Sequence, residues 1–163
     1  MAIANPYSEA LGARKPLDAL ADTPARIRQR VDGWTAEDFE GSYTAGKWSF
    51  RQLLIHLAQT ELALTTRARF ALSTDRYVAQ AFSQDDWMMI DHQASARTAL
   101  DAYTALREFN LGMWRALTPE QLERPFTHPE YGELTVAWIM AQMAGHDLHH
   151  LKQFEMGPSR KTS

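Results

Sequence analysis

The segment from residue 136 to residue 153 constrains this chain most, because it carries an apolar helical stripe into a pair of histidines. The stripe recurs at spacings of three and four, and its members are Val136, Ile139, Met140 and Met143. The same face continues to His146 and His150. An α-helix turns about 100° per residue, so these two histidines lie only about 40° apart around the axis. We therefore expect both imidazoles to face the interior of the fold.

Two inward histidines one turn apart indicate a metal site. Each buried imidazole needs a polar partner away from water, and two at this spacing can bind one transition metal ion. Histidine pairs also occur without metal, so the spacing alone leaves a structural role open. His149 lies about 60° to the other side of His146. It is either the second ligand in place of His150 or a surface residue.

The composition is that of a globular protein without an evident macromolecular partner. With 163 residues, the chain suits one domain spanning 1–163, with an ordered core over about 17–157. The formal net charge of −3 gives no electrostatic case for nucleic acid, and no apolar run approaches the roughly 18 residues of a membrane span. The chain has no cysteine, which excludes disulfides and a cysteine nucleophile. Because no secretory signal is visible either, we expect a cytoplasmic location.

Apolar periodicity and helix caps predict four long helices, near 24–32, 49–72, 95–117 and 135–156. The first is predicted to begin at Thr23-Pro24, an N-cap followed by proline. The second begins at Ser49, three residues before Gln52, which is the pattern of a capping box. Together these elements predict an all-α protein, a four-helix bundle with at least one long crossover connection.

The remaining segments are predicted to be connections and two short helices, one over Leu17 to Ala21 and one that starts at Thr118-Pro119. Residues 73–94 form a long one, in which the apolar residues 87–90 are expected to pack onto the bundle. Residues 1–15 are expected to be loosely ordered, and no strand pattern stands out. His92 and His128 lie in connections and receive no role.

Four segments together resemble the DinB/YfiT-like family of metalloenzymes. They are GKWS at 46–49, LLIHL at 53–57, HPEYGELT at 128–135 and GHDLHHLKQ at 145–153. The resemblance runs from about Leu17 to Phe154. Each motif alone is only moderately specific for the family, but the combination in this order is strongly specific. It implies a four-helix bundle with a three-histidine metal site, in which one ligand comes from the second long helix and two come from the last. Matched residue by residue, the ligands are His56, His146 and His150.

A three-histidine site predicts a metal-dependent enzyme that acts on a small molecule. Neutral imidazoles suit zinc or nickel, with iron(II) as a further option, and three protein ligands leave a coordination position open. At that position a metal makes water reactive at neutral pH, as in a hydrolase. Two alternatives stay open. One is a thiol-dependent S-transferase or isomerase using a low-molecular-weight thiol, which the family includes, and the other is a non-catalytic metal- or ligand-binding module.

Other polar residues are candidates for supporting roles. Gln153 shares the histidine face and either contacts bound water or is a core-edge amide. Glu61 lies about 140° around the helix from His56, so we expect it to pair with another helix or to support the metal site from there. Asp147 and His149 are either an acid and a base at the site mouth or, on the simpler interpretation, solvent-facing residues. Since relatives of this size often associate, we also expect a homodimer.

Overall fold

The computed structural model describes residues 4–158, which form a bundle of helices with one small β-hairpin. The helices are α1 (Ser8–Leu11), α2 (Pro16–Arg30), α3 (Ala36–Glu40), α4 (Phe50–Ser73), α5 (Gln84–Asp91), α6 (Ala96–Ala116), α7 (Pro119–Leu122) and α8 (Val136–Met156). The strands are β1 (Pro125–His128) and β2 (Gly132–Thr135). Each of α2 and α4 packs against both α6 and α8, so the predicted four-helix bundle is confirmed. Among the described residues, none of the helices combines the length and apolar character that a membrane span requires.

Three of the four long helices begin and end within one residue of their predicted bounds, because side-chain caps fix their starts. At the start of α4, the Ser49 hydroxyl accepts the N–H of Gln52, and the Gln52 side chain accepts the N–H of Ser49. The hydroxyls of Ser95 and Thr135 accept N–H groups at the starts of α6 and α8 in the same way. These caps, readable from the sequence, place the metal-ligand candidates in register on their helices.

The prediction for the first long helix is wrong at its start, because α2 begins at Pro16 and runs through Pro24. Proline has no N–H, so Pro24 leaves the carbonyl of Leu20 without its helical partner. Arg107 of α6 supplies the missing donor, since its Nη1 lies 2.9 Å from the Leu20 oxygen. Pro24 resembles a helix start in the sequence. The hydrogen bond from Arg107 of another helix nevertheless allows it to lie inside α2.

The expectation of no strands is also wrong. Strands β1 and β2 pair antiparallel, with Phe126 opposite Leu134 and His128 opposite Gly132. Phe126 and Leu134 are both buried, and they anchor the hairpin to the core. Each strand is only four residues long, so its alternation is too brief to stand out in the sequence.

The long connection after α4 contains a helix that the sequence did not indicate. Helix α5 is fixed to α4 by Gln59, whose Nε2 donates to the carbonyl of Trp87 and to the carboxylate of Asp91. Of the apolar residues 87–90, only Met88 is fully buried, while Met89 and Ile90 are 71% and 74% exposed. The prediction that this whole run packs onto the bundle is therefore wrong for its last two residues.

The N-terminal segment is more ordered than expected, since α1 packs against α8. The contact depends on Gly145, where a Cβ atom would lie 2.7 Å from the Cβ of Tyr7 and closer still to its carbonyl oxygen. Only a glycine lets the two backbones approach this closely. Residues 1–3 of the segment expected to be loose lie outside the described residues.

Candidate metal centre

Three histidines from two helices meet in the interior of the bundle. His56 belongs to α4, and His146 and His150 belong to α8. Their Nε2 atoms converge, with 2.8 Å between His56 and His146 and 3.1 Å between His146 and His150. All three residues are buried, at 5–7% exposure. The fold thus brings together the same three side chains that the sequence motif selects.

Aromatic rings hold two of the imidazoles in place. The indole of Trp48 packs edge-on against His56, with ring centroids 5.0 Å apart. Tyr7 packs in the same manner against His146 at 5.1 Å. Since Tyr7 is placed by the close approach at Gly145, the N-terminal segment forms a wall of the site, and no motif in that segment indicates this position.

Gln153 orients the third imidazole. Its Oε1 lies 2.7 Å from Nδ1 of His150, and because an amide oxygen only accepts, the proton of His150 is on Nδ1. The Nε2 lone pair of His150 therefore points into the cluster. The amide nitrogen of Gln153 faces Nε2 of His149 at 3.2 Å. Gln153 is therefore hydrogen-bonded to the His150 side chain rather than a free core-edge amide, and it also lines the smaller cavity beside the cluster.

Asp147 faces the Nδ1 side of His146, and its burial corrects the interpretation of a solvent-facing residue. It is 1% exposed, and its Oδ1 lies 3.7 Å from Nδ1 of His146. The other oxygen accepts from the hydroxyl of Tyr103 at 2.8 Å and pairs with Arg107 at 2.7 Å. Burial alone would raise the pKa of Asp147, but the Arg107 guanidinium and the neighbouring donors hold that pKa below its usual value. The carboxylate lies on the Nδ1 side of His146 but beyond hydrogen-bond distance, so Nδ1 of His146 has no hydrogen-bond partner among the described residues.

Glu61 has no contact with the histidines and instead joins α4 to α6. It is fully buried, it accepts two hydrogen bonds from Arg107, at 2.7 and 3.0 Å, and it accepts one from Asn110 at 2.9 Å. Arg107 therefore bridges the carboxylates of Glu61 and Asp147. Of the two expectations for Glu61, the interhelical pairing is confirmed, and any support for the metal site is indirect, through Arg107 and Asp147.

Burial keeps the imidazoles of His56 and His150 neutral. Desolvation, and next the neighbouring His146, lower the pKa of His56 to about 3. The same two causes lower the pKa of His150 well below its usual value. Near pH 7 both rings therefore present nitrogen lone pairs rather than positive charge. Neutral imidazole nitrogen is the form that binds a metal ion.

The donor set fits a divalent cation of the zinc type. Three Nε2 atoms converge, and the contact with Gln153 leaves a lone pair on Nε2 of His150. Imidazole nitrogens 2.8 and 3.1 Å apart need a proton or a cation between them. Two nitrogens bound tetrahedrally to zinc at about 2.0–2.1 Å are about 3.3 Å apart, close to these spacings. The three histidines form a cluster that could hold a metal ion.

Two cavities open onto the cluster, one on each side of His56. The first has a volume of about 420 Å³, and His56 and His146 form part of its wall. The second, of about 350 Å³, reaches His56, His150 and Gln153. Both volumes are within the range of small-molecule sites. The histidines are therefore buried in the bundle yet accessible to ligands of small size.

The remaining histidines take different positions. His149 is exposed and lies beside Tyr7, outside the convergent cluster. His92 is exposed in the connection before α6. His128 is buried at the tip of the hairpin and lines the larger cavity, a position that its predicted place in a connection did not indicate. The hairpin brings His128 to this cavity by packing against residues distant in sequence, and the sequence pattern did not reveal the hairpin.

Comparisons with known proteins relate the chain to one family. The model of the DinB superfamily matches residues 19–154. A protein of Oceanobacillus iheyensis named "Putative metal-dependent hydrolase OB0413" is 29% identical over 138 residues, which cover 84% of this chain and 80% of that protein.

Two solved structures share the fold. One is YfiT from Bacillus subtilis, described as "a probable metal-dependent hydrolase with an unusual four-helix bundle topology", with a TM-score of 0.79 and 22% identity over 86% of this chain and 82% of that chain. The other is a mycothiol-dependent maleylpyruvate isomerase, with a TM-score of 0.68 and 12% identity over 91% of this chain and 60% of that chain. At these identities the two structures show a likeness of fold.

Proposed function

This chain belongs to the DinB superfamily, and from that premise we propose that it is a metal-dependent hydrolase whose metal ligands are His56, His146 and His150. The convergence of the three Nε2 atoms carries the proposal, since Nε2 of His146 lies 2.8 Å from that of His56 and 3.1 Å from that of His150. The names of its relatives are consistent with it. Zinc or nickel is the proposed ion, with iron(II) as a further candidate, because neutral imidazoles suit all three.

The surrounding residues have separate parts in this proposed reaction. A divalent cation held by the three nitrogens would polarise a carbonyl group and lower the pKa of a water molecule from about 15.7 to about 7. Gln153 holds the imidazole of His150 with its Nε2 lone pair inward, and the Asp147 carboxylate lies on the outer side of His146. Trp48 and Tyr7 cover His56 and His146 and limit the entry of bulk water. The 420 Å³ cavity admits a small substrate.

A second candidate function is a thiol-dependent transferase or isomerase. The observation that favours it is the separate cavity of about 350 Å³ beside His150, which leaves room for a second small molecule. The shared fold with a mycothiol-dependent isomerase supports the same idea. Since the chain contains no cysteine, the thiol would have to be a small-molecule cosubstrate.

Metal analysis of purified variants tests the proposed ligands. We expect about one divalent ion per wild-type chain and none in the double variant His146→Ala/His150→Ala. His149→Ala is the matched control, because His149 lies on the same helix outside the cluster, and it should retain the metal. Full metal content in the double variant would contradict the assignment.

Activity assays then separate the functions. Metal-loaded protein is incubated with panels of esters and amides, with and without low-molecular-weight thiols. Turnover by water alone supports the hydrolase, whereas turnover only with a thiol supports the transferase or isomerase. Activity that survives both chelation and His56→Ala, with loss of metal verified, would reject metal catalysis.

A further inference from the structure

The wall of the 420 Å³ cavity carries a buried positive charge that takes no part in the ion pairs between the helices. Arg67 of α4 lines this cavity together with His56 and His146, and it is 7% exposed. Its Nη2 donates to the carbonyl of Gln80 at 2.8 Å. Among the described residues, no carboxylate forms an ion pair with it. By contrast, the other buried arginine of the bundle, Arg107, pairs with two carboxylates.

A buried arginine that forms no ion pair is costly unless another group satisfies its charge. Charged groups inside proteins are as a rule paired or hydrogen-bonded, and arginine stays protonated at any ordinary pH. Glu130 lines the same cavity and its charge acts on Arg67, but Glu130 is exposed and lies beyond ion-pair distance. The guanidinium donates to the Gln80 carbonyl and forms no ion pair, so it suits a ligand that brings its own negative charge.

The groups around Arg67 offer further hydrogen bonds to a ligand in the same cavity. Burial, and next the charge of Arg67, lower the pKa of His128, so this ring is neutral near pH 7. Its Nδ1 accepts the N–H of Glu130 at 3.2 Å, which leaves the ring proton on Nε2 as a donor. Thr60 Oγ1 and Gln142 Oε1 also line the cavity, and both are buried without a partner in the protein. Unpaired polar groups of this kind are rare unless a ligand or water satisfies them.

Helix geometry sets the distance between the charge and the histidines. His56, Thr60, Leu64 and Arg67 follow one another at spacings of four, four and three on one face of α4. Eleven residues rise about 16 Å along a helix, and side chains lean back towards the helix N-terminus, here towards His56. A ligand that reaches both His56 and Arg67 is therefore elongated, with its charged group at the end away from the histidines.

We propose that Arg67 binds a terminal carboxylate of the substrate, so that the reacting group of an elongated, anionic small molecule lies at the histidines. This inference rests on the proposed metal site and specifies the class of substrate that the site takes. Arg67 acts here as a determinant of specificity that contacts the substrate away from the reacting atoms. His128 is the second donor to the same end of the molecule.

Calorimetric titration of the zinc-loaded protein with paired probes tests this assignment. The probes are two alkyl hydroxamates of equal chain length, prepared in a short series of lengths, one ending in a carboxylate and the other in a methyl group. The hydroxamate end binds zinc, so the pair differs only at the end that would face Arg67. At the length that spans the cavity, we expect the wild type to bind the carboxylate-ended probe about tenfold more tightly, the worth of a charged hydrogen bond.

Variants assign that preference to the arginine. Arg67→Gln should remove the preference while leaving the affinity for the methyl-ended probe and the zinc content unchanged, and Arg67→Lys should retain part of it. Arg69→Gln is the matched control, because Arg69 lies on the same helix and donates to Asn110 rather than lining the cavity. It should behave as the wild type does.

The outcomes that overturn the inference differ from those that overturn the metal site. Equal affinity for both probes at every length in the wild type, or a preference that persists in Arg67→Gln, would reject the role of Arg67 and leave the metal site intact. Failure of zinc to bind, or failure of both hydroxamates to bind the zinc-loaded protein, would reject the open metal site itself and the inference with it.

Discussion

Gln153 shows how one side chain controls the state of a ligand candidate. Its amide oxygen accepts the Nδ1 proton of His150 at 2.7 Å and so directs the Nε2 lone pair inward. We predict that Gln153→Leu weakens zinc binding by about 10–100-fold, the usual effect of losing such a partner. Competition with a chromophoric chelator measures the affinity. Lys152→Ala, an exposed change next in sequence, is the control, and an unchanged affinity in Gln153→Leu would contradict this role.

The lowered pKa of His56 predicts how the metal-free protein responds to acid. The folded state holds this pKa at about 3, below the value of about 6.5 expected in the unfolded chain. The unfolded state therefore binds the proton first, and the free energy of unfolding falls as the pH drops from about 6.5 towards 3. From this histidine alone we expect a loss of about 2 kcal/mol at pH 5.

Urea unfolding in the presence of a chelator, at pH 7.5 and pH 5, measures this effect. His56→Gln cannot take up the proton, so its loss of stability between the two pH values should be smaller by the same amount. Most carboxylates titrate below this window and contribute little to it. Equal pH dependence in the two proteins would show that burial does not lower the pKa of His56.

At the level of secondary-structure elements, two glycines in helices predict opposite effects of one substitution. Gly145→Ala would force the backbone of Tyr7 away from α8 and should cost about 1–3 kcal/mol, as overpacking does. Gly112→Ala meets nothing within 4 Å and should stabilise α6 by about 0.5–1 kcal/mol. Thermal unfolding measures both. Limited proteolysis should also cleave residues 5–15 faster in Gly145→Ala only, and equal stability of the two variants would contradict the close contact.

Helices whose ends and faces depend on neighbouring residues could be predicted from the sequence. Helices whose ends depend on contacts with distant residues could not. Capping side chains and long apolar faces fixed α4, α6 and α8 to within one residue. Pro24 misled the prediction for α2 because its compensation comes from Arg107, eighty-three positions later in the sequence.

The same distinction applies to the site. The spacing of His146 and His150, together with the family motif, indicated the three clustered histidines. The interpretation of Asp147 as solvent-facing was wrong because α8 is buried on nearly all sides. For such a helix, a helical wheel does not show which positions are exposed. His128 and Tyr7 reach the site only through the hairpin and the N-terminal segment, neither of which has a strong periodic pattern.

In the whole molecule, one buried arginine connects the four long helices. Arg107 of α6 donates to the Leu20 carbonyl of α2, to Glu61 of α4 and to Asp147 of α8. We predict that Arg107→Met lowers the free energy of unfolding by about 3–5 kcal/mol, because it leaves two buried carboxylates without their counter-charge. Chemical denaturation measures the loss.

An exposed arginine provides the control for this prediction. Arg28 pairs with Asp101 at 2.8 Å on the surface, and Arg28→Met should cost less than about 1 kcal/mol. If Arg107→Met does not fold, a variant that also replaces Glu61 and Asp147 with apolar residues of similar size should fold again, since no buried charge is then left alone. A stable Arg107→Met protein would contradict the role of this arginine.

The Arg107 cluster also has a consequence for the evolution of such chains. Losing one of its three charged members is costly, while replacing all of them together can be neutral or even stabilising. A lineage therefore crosses a region of low fitness if it changes positions 61, 107 and 147 one at a time. Among homologous sequences, these three positions should vary together as a block, and a chain that keeps both acids without the arginine should carry another cation in its place.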